Sequence, residues 1–92
     1  MVTALVFIRT DIDAVNGVAE TIAALDGVSE VYSVTGDLDL VAIIRVRDLD
    51  GVSAVVTDGV AKIEGILTTE THIAFRTYSK HDLETAFSIG LD

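Results

Sequence analysis

Short apolar runs alternate with two amphipathic stretches along the chain, and this order predicts six elements of secondary structure. Four runs rich in β-branched residues predict strands. They are residues 2–9, 28–34, 38–47 and about 66–78. Residues 13–25 and 51–63 carry apolar residues at helical spacing and predict two helices. The order βαββαβ predicts a ferredoxin-like α+β fold, with both helices on one face of a four-stranded antiparallel sheet.

Polar residues at the predicted helix starts have the spacing of helix caps. Thr10 and Asp13 match the capping box before the first helix, and Asp48 or Asp50 can cap the second. Ser79 begins a similar pattern near the C-terminus, where residues 79–87 predict a short helix or a frayed tail.

The second predicted helix and its exit repeat the first at an interval of 38 residues. Gly27 corresponds to Gly65, and glycine tolerates the left-handed conformation of a helix C-cap. The matching apolar positions are Val18 with Val56, Ile22 with Val60, and Leu25 with Ile63. The two halves of the chain are therefore predicted to be similar units.

Two predicted strands are apolar on both faces. In residues 38–47, Val41 and Ile43 lie opposite the main apolar face, and Leu5 and Phe7 do so in the first strand. Helices can cover only one face of the sheet, and a soluble monomer rarely exposes a large apolar patch. This pattern predicts a dimer packed sheet against sheet. A monomer with a few apolar surface residues is the alternative.

The amino-acid composition argues against several classes of function. The chain has 92 residues, half of them hydrophobic, which predicts one folded domain. Fifteen acidic residues against six Lys and Arg give a net charge of −9, which disfavours direct binding to nucleic acid or anionic membranes. Cysteine is absent, no apolar run is long enough to span a membrane, and a cytoplasmic location is expected.

Residues typical of catalysis or metal binding are sparse. The sequence contains no P-loop and no GxGxxG motif, and His72 and His81 lack the spacing of a zinc pair. We expect no catalytic residues, no metal site and no cofactor, and therefore no enzyme.

The stretch TGDLD, residues 35–39, joins the second and third strands and supports two interpretations. It is either a hairpin turn with two hydrated acids or a binding site. In the second case, backbone N–H groups around Gly36 bind the carboxylate of a free amino acid. Asp37 or Asp39 then accepts its ammonium group, and Asp39 is favoured because the adjoining strand fixes its direction.

Two motifs in the correct order resemble a known family. LDGVSEVYSVTGD leads from a helix exit through a strand to TG and an acidic residue, and it continues into LDLVAIIRV. In GILTTETHIAFRTYSKHDLETAF, a TxT motif precedes an apolar segment that ends in R, T and Y. Over nearly its whole length the chain resembles the RAM domain, the ligand-binding half of Lrp/AsnC (feast/famine) transcriptional regulators. It looks like the stand-alone form without the helix-turn-helix domain, because residue 1 directly precedes the first strand.

The resemblance implies subunits that pair through their sheets into a dimeric α+β barrel, and dimers that assemble into rings of four, an octamer. It places an amino acid effector between dimers, around the loop that joins strands two and three, with residues of the final strand approaching from the neighbouring dimer. His72 departs from the family pattern, in which a small or aliphatic residue is more frequent. The corresponding residues here are Thr35, Gly36, Asp37, Leu38, Asp39, Thr69, Thr71 and His72.

Two other function classes stay open. One is a cofactor-free enzyme on the same dimeric barrel, such as a monooxygenase, which needs a hollow often lined by His, Asn or Trp. Trp is absent here, and Asn16 in the first helix is the only Asn. The other is a module that co-assembles with full-length Lrp/AsnC regulators and binds no ligand. In either regulatory case, an effect on transcription needs a partner that carries the DNA-binding domain.

Overall fold

The computed structural model describes residues 1–80 and contains the predicted order of elements. The predicted C-terminal helix begins at the end of this range, and its apolar residues lie outside it. Within residues 1–80, eight segments form the fold. They are strand β1 (Val2–Thr10), helix α1 (Val15–Ala23), strands β2 (Val28–Ser33) and β3 (Leu40–Val46), helix α2 (Leu49–Ser53), a π-helical turn (Ala54–Gly59), a 3₁₀ turn (Val60–Lys62) and strand β4 (Ile66–Ile73).

The four strands form one antiparallel sheet in the order β2-β3-β1-β4. Alternate residues of β1 and β3 are buried, and they pack in one cluster with both helical segments. Both helical segments therefore cover the same face of the sheet, as the ferredoxin-like prediction requires. The buried residues are Ala4, Val6, Ile8, Val18, Ile22, Leu40, Ala42, Ile44, Val52, Val55 and Val60.

The second helical segment differs from the predicted regular helix over residues 51–63. Only Leu49–Ser53 is regular α-helix, and the Val60 N–H then donates to the Val55 carbonyl, five residues back, as well as to the Val56 carbonyl. In a regular α-helix, residues five apart diverge by roughly 140° around the axis. The π-helical turn brings Val55 and Val60 to the same side, and both are buried. Because these two valines pack on the same side, the α-helical spacing of apolar residues does not describe Ala54–Gly59.

The two predicted helix caps have opposite outcomes. Asp48 caps α2, since its carboxylate accepts a hydrogen bond of 2.8 Å from the Gly51 N–H. The predicted capping box before α1 is wrong, because the N-cap residue is Ala14 and no side chain caps it. Thr10 instead ends β1, is 5% exposed, and donates its hydroxyl hydrogen to the Asp11 carbonyl at 3.0 Å. Pairing of Thr10 with β4 outweighs the local capping pattern.

The final strand is shorter than the predicted 66–78 and ends at Ile73. One further contact continues its pairing with β1, from the Ala74 N–H to the Thr3 carbonyl at 2.9 Å. No helix within residues 1–80 is long and apolar enough to cross a membrane.

Candidate functional site

The loop between β2 and β3 is fixed to the end of β1 by backbone and side-chain hydrogen bonds. The Asp39 N–H donates to the Ile8 carbonyl at 3.0 Å, and the Thr10 N–H donates to Asp39 Oδ2 at 2.9 Å. The Val34 N–H closes the loop by donating to the Asp39 carbonyl at 3.0 Å. These contacts fix residues 35–38 as a loop at the end of the sheet. We call this loop the projection.

Four consecutive N–H groups in this projection have no acceptor among residues 1–80. The residues from Thr35 to Leu38 donate no hydrogen bond within the part of the chain that the structure describes. Gly36 has a φ of +100°, a conformation that favours glycine, and open space surrounds the position of a Cβ. Successive free N–H groups around a left-handed residue can bind an anion.

A cation is bonded to the backbone of this projection. Arg9 Nε donates to the Asp37 carbonyl at 2.9 Å, across 28 positions of the sequence. The Asp37 carboxylate is exposed and makes no hydrogen bond among residues 1–80. Arg9 is thus bonded to the backbone of the residue that carries the exposed carboxylate, and the sequence alone did not indicate Arg9. The position of Arg9 near the end of β1, where buried and more exposed residues alternate, was the one signal that could have indicated it.

The predicted loop residues differ in how accessible they are. Thr35, Gly36 and Asp37 are exposed, whereas Leu38 and Asp39 are half-buried. Asp39 uses one carboxylate oxygen to hold Thr10, so it supports the loop structurally. Asp37 is therefore the more accessible of the two acids.

The three predicted residues of the final strand do not share a face. Thr69 and Thr71 pair with Ile8 and Val6, so they lie on the side of the sheet that carries the helices, although both are exposed. His72 lies on the opposite face. Since β3 and β4 flank β1 on opposite sides, about 10 Å separates them. A single chain does not bring the β4 residues into the loop.

The sheet face away from the helices has an apolar centre. The cross-strand pairs Leu5 with Ile43 and Phe7 with Val41 form a block of half-buried side chains on the two central strands. We call this surface, together with its flanking residues on β2 and β4, the outer face. Its rim is polar, with Glu30 and Tyr32 on β2 and Glu70 and His72 on β4.

Polar contacts organise both rims of the outer face. His72 Nε2 lies 3.0 Å from Glu70 Oε2, and its ring contacts Phe7 edge-on at a centroid distance of 5.1 Å. On the other side, Arg45 pairs with Glu30 at 3.2 Å. The hydrogen bond with Glu30 is the main cause that raises the pKa of the Tyr32 phenol above its ordinary value. An apolar centre with a polar rim is the usual composition of a protein interface.

The fold and this loop define a small α+β sheet domain with a candidate anion- and cation-binding projection. No cluster of metal-ligating side chains accompanies it within residues 1–80. The family model of the Lrp/AsnC ligand binding domain matches residues 3–83, and the chain belongs to this family.

Relatives at the sequence level are regulators. The chain is 36% identical over 78 residues to an uncharacterised HTH-type transcriptional regulator of Pyrococcus abyssi, covering 82% of this chain and 52% of the relative. The chain thus spans about half the length of the curated relatives it matches. Family and relatives are transcriptional regulators rather than enzymes.

Solved structures share the fold. The Thermus thermophilus protein TTHA0845 is 48% identical, with a TM-score of 0.82 over 87% of this chain and 100% of that one. A Neisseria meningitidis transcriptional regulator, solved in complex with L-Met, has a TM-score of 0.75 over 85% of this chain and 52% of that one. At 16% identity the second likeness concerns the fold alone.

Proposed function

We propose that the chain is an amino acid-binding and oligomerisation module that acts on transcription through partner proteins. The observation that carries the proposal is the row of N–H groups from Thr35 to Leu38, which have no acceptor in the described part of the chain and lie in the same loop as an exposed carboxylate. An α-amino acid has a carboxylate that suits the N–H groups and an ammonium group that suits Asp37. Family membership and the L-Met complex of the Neisseria regulator support the same class of ligand.

The loop belongs at a contact between copies of the chain. Thr35, Gly36 and Asp37 are exposed, whereas sites for small molecules bury most of their ligand. A second copy would supply the missing walls. Thr69, Thr71 and His72 are candidates for that contribution, since in one chain they lie away from the loop.

The outer face is proposed as the dimer interface. Its apolar centre lies on the two central strands, and the helices cover the other face of the sheet. Pairing of two outer faces produces the dimeric α+β barrel, and loop contacts between dimers then build a ring such as an octamer. The same interfaces allow co-assembly with full-length Lrp/AsnC-type regulators.

A screen of the twenty standard amino acids by thermal unfolding tests ligand binding. A ligand at a hundred times its Kd stabilises the folded protein by about 2.7 kcal/mol, which raises the Tm of a domain of this size by roughly 10 °C or more. Absence of stabilisation by every amino acid, confirmed by calorimetry, contradicts the proposed ligand class.

Two substitutions test whether the amino acid binds at the loop. Asp37→Asn removes the charge and is expected to weaken binding roughly tenfold to a hundredfold, because a hydrogen bond to a charged group contributes about 1.5–3 kcal/mol. Gly36→Ala meets no neighbouring atom, yet it disfavours the φ of +100° that presents the N–H groups. Asp58→Asn, at another exposed acid, is the matched control. Equal affinity in all three variants and the parent shows that the loop is only a turn.

Light scattering at micromolar concentration tests the interface. Ile43→Asp puts a charge in the apolar centre of the outer face, and a buried unpaired carboxylate costs several kcal/mol. We expect this variant to be monomeric and folded by circular dichroism. Leu49→Asp makes the same kind of change at an exposed apolar residue of α2 and should leave the assembly intact. A monomeric parent protein contradicts the proposed interface.

A further inference from the structure

We infer that Arg9 binds the ligand carboxylate directly and makes the loop selective for zwitterionic α-amino acids over their uncharged-carboxyl analogues. This inference rests on the proposed function and adds a residue that lies outside the loop in sequence. Its basis is the position and the charge environment of the Arg9 guanidinium.

The Arg9 side chain is held in place without being neutralised. Its Nε–H donates to the Asp37 carbonyl at 2.9 Å, which fixes the guanidinium at the loop. The Nη groups form no hydrogen bond or ion pair among residues 1–80. Those groups present the paired N–H donors that match the two oxygens of a carboxylate.

The charge of the chain makes this arrangement unusual. Acidic residues outnumber Lys and Arg fifteen to six, yet Arg9 bonds to a neutral carbonyl. Arg45, on the neighbouring strand, pairs instead with the Glu30 carboxylate at 3.2 Å. A protein of net charge −9 repels anions over its surface in general. A fixed cation whose Nη groups have no partner among residues 1–80 provides a local site where a carboxylate is favoured.

The adjacent charges define the class of ligand. Arg9 suits an anion and the exposed Asp37 carboxylate suits a cation, and the hydrogen bond from Arg9 to the Asp37 carbonyl brings the two residues together. A molecule with a carboxylate and an ammonium group on neighbouring atoms satisfies both at once. At about pH 6 an amino acid amide keeps the ammonium group, because an α-amino group beside an amide has a pKa of about 7.7–8.0, and it loses the partner of Arg9.

The test compares two ligands on three proteins. The probes are the standard L-amino acids and the matching α-amides, for example L-leucine and L-leucinamide, with affinity measured by calorimetry. The proteins are the parent, Arg9→Gln and Arg47→Gln. Arg47 is an exposed arginine just beyond β3, at the opposite end of the sheet, so its replacement makes the same change of charge.

The preference for acid over amide is the informative quantity. In the parent and in Arg47→Gln we expect the acid to bind roughly tenfold to a hundredfold more tightly than the amide. In Arg9→Gln this ratio should fall roughly tenfold, because the charge-assisted contact is lost while the backbone N–H groups remain. If Arg9 only positions the loop, both ligands weaken by the same factor and the ratio is preserved, which overturns the inference.

Other outcomes distinguish a failure of the proposed function from a failure of the role of Arg9. Amino acid binding by the parent with no effect of Arg9→Gln leaves the proposed function standing and refutes the role of Arg9. Failure of every amino acid to bind the parent refutes both. Dissociation of the Arg9→Gln protein into monomers, seen by light scattering, assigns Arg9 to an interface between copies and also overturns the inference.

Discussion

Asp39→Ala removes the side-chain contact that ties the loop to the end of β1. In the parent, Asp39 Oδ2 accepts a hydrogen bond of 2.9 Å from the Thr10 N–H. Thr10 is 5% exposed, so water does not easily replace the lost acceptor. Leaving a buried donor unpaired costs about 1–3 kcal/mol, and a bond to a charged acceptor lies toward the upper part of that range.

The expected loss of unfolding free energy for Asp39→Ala is therefore about 2 kcal/mol. For a domain of this size each kcal/mol lowers the Tm by roughly 4–8 °C. Asp39→Asn keeps an oxygen that can accept from Thr10 and should lose about 1 kcal/mol or less. Asp37→Ala is the matched control, since its exposed carboxylate makes no hydrogen bond within residues 1–80, and its effect should stay within about 0.5 kcal/mol.

Urea unfolding, followed by circular dichroism, measures these differences. All proteins must be compared at one concentration, because association contributes to the apparent stability of an oligomer. The order of stability should be parent and Asp37→Ala first, then Asp39→Asn, then Asp39→Ala. If Asp39→Ala is as stable as Asp37→Ala, the Asp39 carboxylate does not support the loop and the reasoning fails.

Three further predictions follow from other contacts. Gly27→Ala should destabilise the fold by at least about 2 kcal/mol in urea, since φ is +91° and a Cβ would lie 2.8 Å from Val55 Cγ2. Glu30→Gln should lower the raised pKa of Tyr32 toward its ordinary value, measured by phenolate absorbance in a Tyr78→Phe background that leaves one tyrosine. The purified chain, at net charge −9, should not retard duplex DNA in a gel shift at physiological salt.

A specific result would contradict each of these three predictions. Gly17→Ala is the control for Gly27, because that helical position has open space, and equal stability of the two variants would contradict the steric argument. An unchanged titration of Tyr32 after Glu30→Gln would mean that Glu30 does not hold the phenol proton. Submicromolar DNA binding would contradict the charge argument.

The sequence by itself determined the order of elements and the architecture. The alternation of apolar residues in β1 and β3 is a local property, and one face of each strand is buried as that alternation predicts. Gly27 and Gly65, 38 positions apart, both have positive φ, as their place at helix exits indicates. Successive residues of a strand point to opposite faces, so the sequence also places His72 on the other face of the sheet from Thr69 and Thr71. The family resemblance had assigned all three residues to one site.

Only the tertiary structure decided which groups meet at the candidate site. Arg9 contacts Asp37 from 28 positions away and Asp39 contacts Thr10 from 29, and no local pattern specifies such partners. The π-helical turn buries Val55 and Val60 on one side, and the α-helical spacing of the sequence does not indicate this turn. Local propensities choose strands, turns and helices, whereas side-chain partners depend on how distant segments pack together. The contacts of Arg9 and Thr10 with the loop arise at that second level.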